Sequence, residues 1–561
     1  MDADALQSAN KSPVVEIDEG PVKRLRDDEV QEHKREPEQP EPHPLGQRIF
    51  RSGVVRRKQR WRLRWFRGLP FLPIGQVHPL QVAGVVGTIA AATQEICITT
   101  LATSIGGSRA GRWSYSSLLA LVSFLPYFIA WARRPSAALY DWLIPPYPED
   151  GLAYLEWVRQ AANGALLFKL KYTALRQHAV IFQPLFLIAG WLCRFFAISP
   201  GFSLFLLRIV GIAIFSAALH RLLAQLQLSS RARRFSLALV AASSCVGAFV
   251  PAAVQSADLT LVDLNTLWSL TWNPLFPWAL ALLLFIVIRA SELADSVRDG
   301  LLLGGALGLL AFLHPYDLGT AAPLAAAILF ARRTSLTPRA LISLAIPLVP
   351  AIAIQAWLSL SDPLLVQHGA QGAMNSPELI SLISGLGIPG LLAAIGAYAV
   401  LSDPSREQAW PLVSWAALSL LLCHAPVWFQ RKLLFGVHLP ICLLAALAID
   451  WLIERARVQF RSAALAGFVL LVPISAATQA VNARATLAQL SLDSAAYYAP
   501  SPLAHALGFL AAQRSPDSVV LAGPNTSRLI PGLSGNTVLY GHWAQAVDAS
   551  ARMTWLAFLF R

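Results

Sequence analysis

Glu149 and Asp150 stand side by side in the stretch Pro145 to Gly164, PPYPEDGLAYLEWVRQAANG, followed by Tyr154, Glu156 and Arg159. A carboxylate between two apolar runs can take a proton from a hydroxyl or an amine, or hold a divalent cation. The plainer alternative is a solvated acid paired with Arg159. Carboxylates are scarce through the rest of the long middle of the chain. An acidic pair between membrane spans is costly except at a water-filled surface. Three further groups could carry chemistry. Asp258, Asp263 and Asn265 accompany Trp268 and Trp272, acids and indoles that suit a sugar or a cation, although tryptophan also marks any membrane interface. His314 and Asp317 form an H-P-Y-D corner between two apolar runs, where ionisable groups either face a cavity or close a helix end. Gln430, Arg431 and Lys432 form a positive cluster able to hold a phosphate, arginine through its fork and lysine as a point charge.

The elements that must position these groups are apolar. Of 561 residues, 55% are hydrophobic and 14% charged, against about 25% charged in soluble proteins. The mean hydropathy is +0.51. With repeated runs near the roughly 20 residues of a span, this excludes an ordinary soluble multidomain protein. The net charge of +13 does not indicate nucleic acid. It gathers in the block 48–67 and in short loops such as Arg231, Arg233, Arg234 and Arg332, Arg333, as cytoplasmic loops do. The five cysteines, Cys97, Cys193, Cys245, Cys423 and Cys442, lack C-x-x-C spacing and read as small core residues, not as a disulfide or metal framework.

The organisation expected is an all-α polytopic membrane protein. Residues 1–67 form a disordered, basic cytoplasmic tail whose last part meets anionic lipid, and 68–114 are an amphipathic segment left out of the span count. The transmembrane domain covers 115–481, with eleven spans at 115–132, 202–226, 236–256, 274–290, 300–314, 316–331, 340–358, 386–401, 411–427, 433–452 and 462–480. The first outer loop is 133–200. Its run 180–198 is assigned to an interfacial helix, because an extra span there would turn Arg231, Arg233 and Arg234 outward. The N-terminus is then inside and the C-terminus outside. Residues 482–561 form a short extracytoplasmic α/β segment, with a helix at 503–513 and strands at 519–523 and 537–541.

This layout resembles the GT-C superfamily of membrane glycosyltransferases, which includes the protein O-mannosyltransferases and the lipid A aminoarabinose transferases. The segment HAVIFQPLFLIAGWLCRFFAISPGFSLFLLRIVG is similar to the family's stretch after its acidic motif, ending on an arginine that opens the second span, Arg208. Uncharacterised bacterial multi-span proteins look closer still. Their shared features stand here as Glu149-Asp150 to Tyr154, Trp157 to Gly164, His314 to Asp317, Phe429 to Lys432, and Gly541 to Trp543. Together they run in order through 115–545. The first acid is Glu149 where those relatives carry Asp, and the C-terminal segment is shorter than theirs.

The resemblance implies a polyprenyl-phosphate-sugar donor entering from membrane lipid, and a glycan, lipid or protein acceptor arriving from outside a bacterial cytoplasmic membrane. Asp150 would act as base in a single inverting displacement, with Glu149 in support. Arg431 and Lys432 would meet the phosphate, and Tyr154, Arg159, His314, Asp317 and Asp263 would bind substrate. Branches of the superfamily differ in their need for a divalent cation; Mg or Mn would fall to Glu149 and Asp150. A transporter or flippase for a lipid-linked sugar and a non-catalytic membrane scaffold are the rival readings.

Overall fold

The computed structural model describes residues 109–560 apart from 145–147, 294–295, 332–336, 372, 493, 514, 516 and 517. The expected basic tail, the segment up to 108 and the Arg332, Arg333 loop lie outside the described residues. The described residues are overwhelmingly helical. Among the described residues, five helices are both long and apolar enough to cross a membrane: Ser114–Arg133, Pro200–Gln225, Pro338–Leu360, Leu379–Ser402 and Gln430–Arg455. This is an integral membrane protein.

Helix α1 (Arg109–Arg133) starts earlier than expected. It is followed by two shorter helices outside the span count, α2 (Pro148–Ala162) and α3 (Pro184–Phe196). At 13 residues α3 is too short to span. It packs on α2 where a Cβ on Gly190 would fall 2.4 Å from Ala161. Helix α4 (Pro200–Gln225) opens on Ser199, whose hydroxyl accepts from the Phe202 N–H, with Pro200 at its first position.

The expected span 236–256 does not form as one helix. Helix α5 (Ser230–Ala242) stops after 13 residues, and short helical turns continue to Trp272. Non-helical backbone in so apolar a protein must find its partners inside the chain. Asp258, fully buried, supplies them: its Oδ2 accepts from Ser244 Oγ at 3.1 Å, Cys245 N at 3.0 Å and Gly247 N at 3.3 Å. Asn265 Oδ1 accepts from Trp268 N and Gln479 Nε2. Asp258 and Asn265 therefore hold the fold together and are not free to bind sugar or cation.

The later helices are α6 (Phe276–Glu292), α7 (Val297–Leu313), α8 (Leu318–Ala331), α9 (Pro338–Leu360), α10 (Leu379–Ser402), α11 (Trp410–Leu422), α12 (His438–Arg455) and α13 (Arg461–Leu492). Loop cations and acids meet at the end of the bundle where α4 turns into α5. Arg221 pairs with Glu292, and Arg289 with Asp299. Arg231 reaches Asp450 at 2.6 Å, and Arg406 reaches Glu454 at 2.6 Å. The opposite end carries α2 and the acidic pair.

Beyond α13 comes α14 (Ser501–Ala512). The two expected strands shrink to β1 (Val519–Val520) and β2 (Thr537–Val538), paired in parallel. Between them α15 (Ile530–Ser534) packs on α2, where a Cβ on Gly532 would fall 2.7 Å from Leu152 O. Lys171 Nζ donates to Gly535 O, and Val538 N to Lys171 O. The C-terminal segment thus folds back over the first loop.

Gly300, Gly304 and Gly308 recur every fourth residue on α7 and face α9. A Cβ at Gly304 would stand 2.0 Å from Leu344 O, whereas one at the neighbouring Gly305 meets nothing within 4 Å. Small residues let membrane helices approach at the backbone. Gly304→Ala is expected to destabilise by about 1–3 kcal/mol through forced separation, and Gly305→Ala to be neutral. Thermal unfolding in detergent checks both; equal melting temperatures would mean that α7 and α9 are not held by this seam.

Candidate active site

The acidic pair sits in the first turn of α2, not in a loop. Pro148 sets the first helical φ, and the carboxylates lie at the positive end of the helix dipole. With about 100° per residue, Tyr154 and Trp157 follow Asp150 on one face. Arg159, nine positions on, falls on the opposite face. Tyr154, Trp157 and Phe186 pack ring against ring, with Tyr154 and Phe186 centroids 5.1 Å apart.

Asp150, its side chain 37% exposed, stands on a cleft of about 480 Å³, part of it open to solvent. Tyr154, Tyr127, Trp142, Phe205, Arg208 and Asn273 also line it. Asn273 Nδ2 donates to the Tyr154 hydroxyl at 3.0 Å, which leaves the phenolic hydrogen available. Burial, and then the Asp150 charge, push the Tyr154 phenol far above its ordinary pKa, so it stays a proton-bearing donor.

Arg208 is the cation of this cleft, a residue that residue-by-residue reading did not place in the site. It is 4% exposed. Its Nη2 donates to Trp272 O at 3.0 Å and its guanidinium lies 4.6 Å from the Tyr127 ring centroid. Its Nε has no protein acceptor, and no carboxylate pairs with it among the described residues. An arginine inside the apolar run FLLRIVG was the available signal.

The C-terminal segment reaches the same place. Arg528 Nη1 lies 3.4 Å from Glu149 Oε1, and His542 Nε2 lies 3.4 Å from Asp150 Oδ1. The motif G-H-W is legible in the sequence, but nothing local there ties His542 to the acids. Among the described residues no group of three metal-type ligands occurs. A divalent ion at Glu149 and Asp150 would have two adjacent carboxylates and would compete with the Arg528 guanidinium.

Several expected substrate ligands are engaged elsewhere. Arg159 does not pair with the acids; its Nε donates to Gly532 O at 2.6 Å, tying α2 to α15. Lys432 Nζ pairs with Asp263 Oδ1 at 3.2 Å and lies over the Phe276 ring. Both side chains are largely buried, so the lysine charge is already answered. His314 Nδ1 stands 2.7 Å from Asp317 Oδ1, both buried, with the imidazole packed against Phe276 and Phe435. Asp263, Lys432, His314 and Asp317 thus form a polar core group that is absent from the lining of the Asp150 cleft. Arg431 is half-buried, and its Nε lacks a protein acceptor.

Glu156, on the buried side of α2, is fully buried with Oε2 unpartnered. Burial pushes its carboxyl from 4.5 up to about 8, against the opposing pull of Lys171, a Gln160 hydrogen bond and Arg159.

No protein-family model matches the chain, and no curated protein matches it. Solved structures do. The Archaeoglobus fulgidus oligosaccharyltransferase AglB, in complex with an inhibitory peptide and a dolichol-phosphate, aligns at 12% identity and a TM-score of 0.44, covering 80% of this chain and 68% of its own. The apo form of the A. fulgidus oligosaccharyltransferase aligns at the same identity and TM-score, covering 81% and 69%.

Two outcomes follow from the buried charges. Removing one partner of a buried ion pair leaves the other uncompensated and costs about 3–5 kcal/mol. Lys432→Met should therefore destabilise strongly, and the double variant Asp263→Asn/Lys432→Met should recover most of the loss. A double variant as unstable as the single one would remove this pairing as the cause. Glu156 holds a proton when folded that it releases when unfolded, between pH 4.5 and about 8. Its contribution is present in full below 4.5 and is lost as pH rises through 8, at up to about 1.4 kcal/mol per pH unit. Melting temperatures measured from pH 5 to 9 should fall more steeply for the wild type than for Glu156→Gln, with the gap widest above pH 8.

Proposed function

We propose that the protein is a GT-C-type glycosyltransferase that moves a sugar from a polyprenyl-phosphate donor to an acceptor on the extracytoplasmic face. The observation that carries this reading is one cleft lined by both a partly exposed acid, Asp150, and a buried arginine without a carboxylate partner, Arg208. A base beside an anion site is what displacement at a sugar phosphate needs. The acceptor oxygen attacks the anomeric carbon and its proton passes to Asp150. The bond from that carbon to the phosphate oxygen breaks, the electron pair leaves with polyprenyl phosphate, and the configuration inverts. Arg208 offsets the charge on the leaving phosphate, a role that Lys432 cannot fill while Asp263 holds it. Arg431 is the second candidate for the phosphate. Glu149 supports the base, and the Tyr154 hydroxyl donates to the sugar or phosphate.

The orientation with the acidic pair outside rests on the ion-paired loop cations at the other end of the bundle, which match the positive-inside bias.

Asp150→Asn keeps size and hydrogen bonding but takes no proton at neutral pH. It should insert and fold normally yet transfer sugar about a hundred- to ten-thousandfold more slowly, with Glu149→Gln losing less. The assay uses purified full-length protein and a radiolabelled lipid-linked sugar, followed by separation of product from donor. Near wild-type turnover in Asp150→Asn with a dead Glu149→Gln would reverse the two roles. Turnover retained by both would remove the cleft as active site.

A further inference from the structure

Two acids of the first loop each face a side chain from the far end of the chain, and the second of these contacts has a defined chemistry. His542 is 3% exposed. Its ring lies between Tyr172, 5.5 Å away centroid to centroid, and Trp543, stacked at 6.1 Å. The Nδ1 atom faces two backbone donors, Ala544 N at 3.0 Å and Gln545 N at 3.2 Å. A nitrogen that accepts from two N–H groups carries a lone pair and no hydrogen. The hydrogen of the neutral ring is therefore on Nε2, and which nitrogen bears it is set by the bonds of the other. Nε2 is buried with no formed hydrogen bond, and the Asp150 Oδ1 atom stands 3.4 Å away. That is longer than a made hydrogen bond, as is common in unliganded sites that tighten on binding.

Local structure explains why this ring is there. Gly541 lets the chain run against its neighbours: a Cβ would meet Ser527 O at 2.7 Å and Tyr172 Cδ1 at 2.8 Å. Thr173 bridges Tyr540 on the approach. The tautomer also decides against a metal role. A metal-bound histidine donates its second N–H to an acceptor, whereas here the second nitrogen meets only donors.

We propose that His542 is a positioning residue for Asp150: an imidazole locked as the Nε2–H tautomer, which donates to one carboxylate oxygen and turns the acid toward the cleft. The C-terminal segment thereby completes the site instead of merely covering it. The kinetic consequence rests on the glycosyltransferase reading; the contact itself does not.

Two measurements on the full-length chain in lipid nanodiscs test it. In the first, nitrogen NMR of ¹⁵N-histidine protein identifies the His542 signals by their loss in His542→Gln. The Nε2-protonated, Nδ1-accepting pattern is expected, with the Nε2 signal moved by Asp150→Asn. An Nδ1–H pattern, or signals unmoved by Asp150→Asn, overturns the proposal. In the second, His542→Ala should lower kcat about a hundredfold, the scale of a mispositioned catalytic group, with KM little changed and Tm lowered by the loss of the acceptor for two backbone N–H groups. His542→Gln, which restores a neutral N–H donor, should recover most of the rate. Adding His542→Ala to Asp150→Asn should cost nothing further, because the two act as one unit. Additive losses, or a Gln variant as slow as Ala, also overturn it. A protein that transfers no sugar from polyprenyl-phosphate donors, yet shows the Nε2–H signal moved by Asp150→Asn, defeats the glycosyltransferase reading and upholds the contact.

Discussion

In a chain this apolar, backbone that leaves the helix has to be satisfied from within, and the Asp258 carboxylate does that for the segment after α5. Three donors converge on its Oδ2 atom, and Ser256 Oγ donates to Oδ1 at 2.6 Å. Without such a hub, the run 243–275 would carry unpaired N–H groups at a cost of several kcal/mol each in hydrocarbon. With it, the run can end on Trp272 and Asn273, which form one wall of the cleft. The Asn273 amide and the Trp272 carbonyl then hold Tyr154 and Arg208. The site's geometry is therefore downstream of a buried carboxylate that never touches it.

The second dependence is on the end of the chain. Helix α2 buries its inner face against α15, and the Arg159 and Lys171 side chains donate to backbone carbonyls there. Those bonds bring Arg528 and His542 over the first turn of α2, so both carboxylates face a partner from another part of the molecule. A charge at a helix N-terminus gains only a few tenths to about 1 kcal/mol from the dipole when exposed. Partners at defined positions add orientation, which the base proposed at Asp150 needs more than stability.

Charge is sorted along the bundle. At the α4–α5 end, Arg221, Arg231, Arg289 and Arg406 are all paired with acids. In the core, Lys432 is answered by Asp263. Arg208 differs from these: its contacts are a carbonyl and an aromatic face. A desolvated guanidinium with spare donor capacity is an anion site in waiting. It shares one cleft with the Asp150 carboxylate, and on that the proposed division of labour between proton and phosphate rests.

Composition by itself determined the membrane class, because a 55% hydrophobic, 14% charged chain cannot be packed otherwise. Apolar runs of about span length were enough to place α1, α4, α9, α10 and α12, and loop charge was enough to keep the stretch of α3 out of the span count. Asp150 and Tyr154 were legible as site candidates through the resemblance; that they share one face of a helix, a turn apart, came from the structure. What the tertiary structure alone decided were the contacts across the chain. Arg159 looked like the partner of the acids but lies half a helical turn round from Asp150 and donates to Gly532 O instead. The real partner of Glu149 is 379 residues away, and that of Lys432 is 169 residues away. Span 236–256 failed for the same reason: its hydropathy suits a helix, but a buried carboxylate and Asn265 offered the backbone a better set of partners. Local pattern reports which residues prefer to be buried, whereas packing selects the neighbours they meet there.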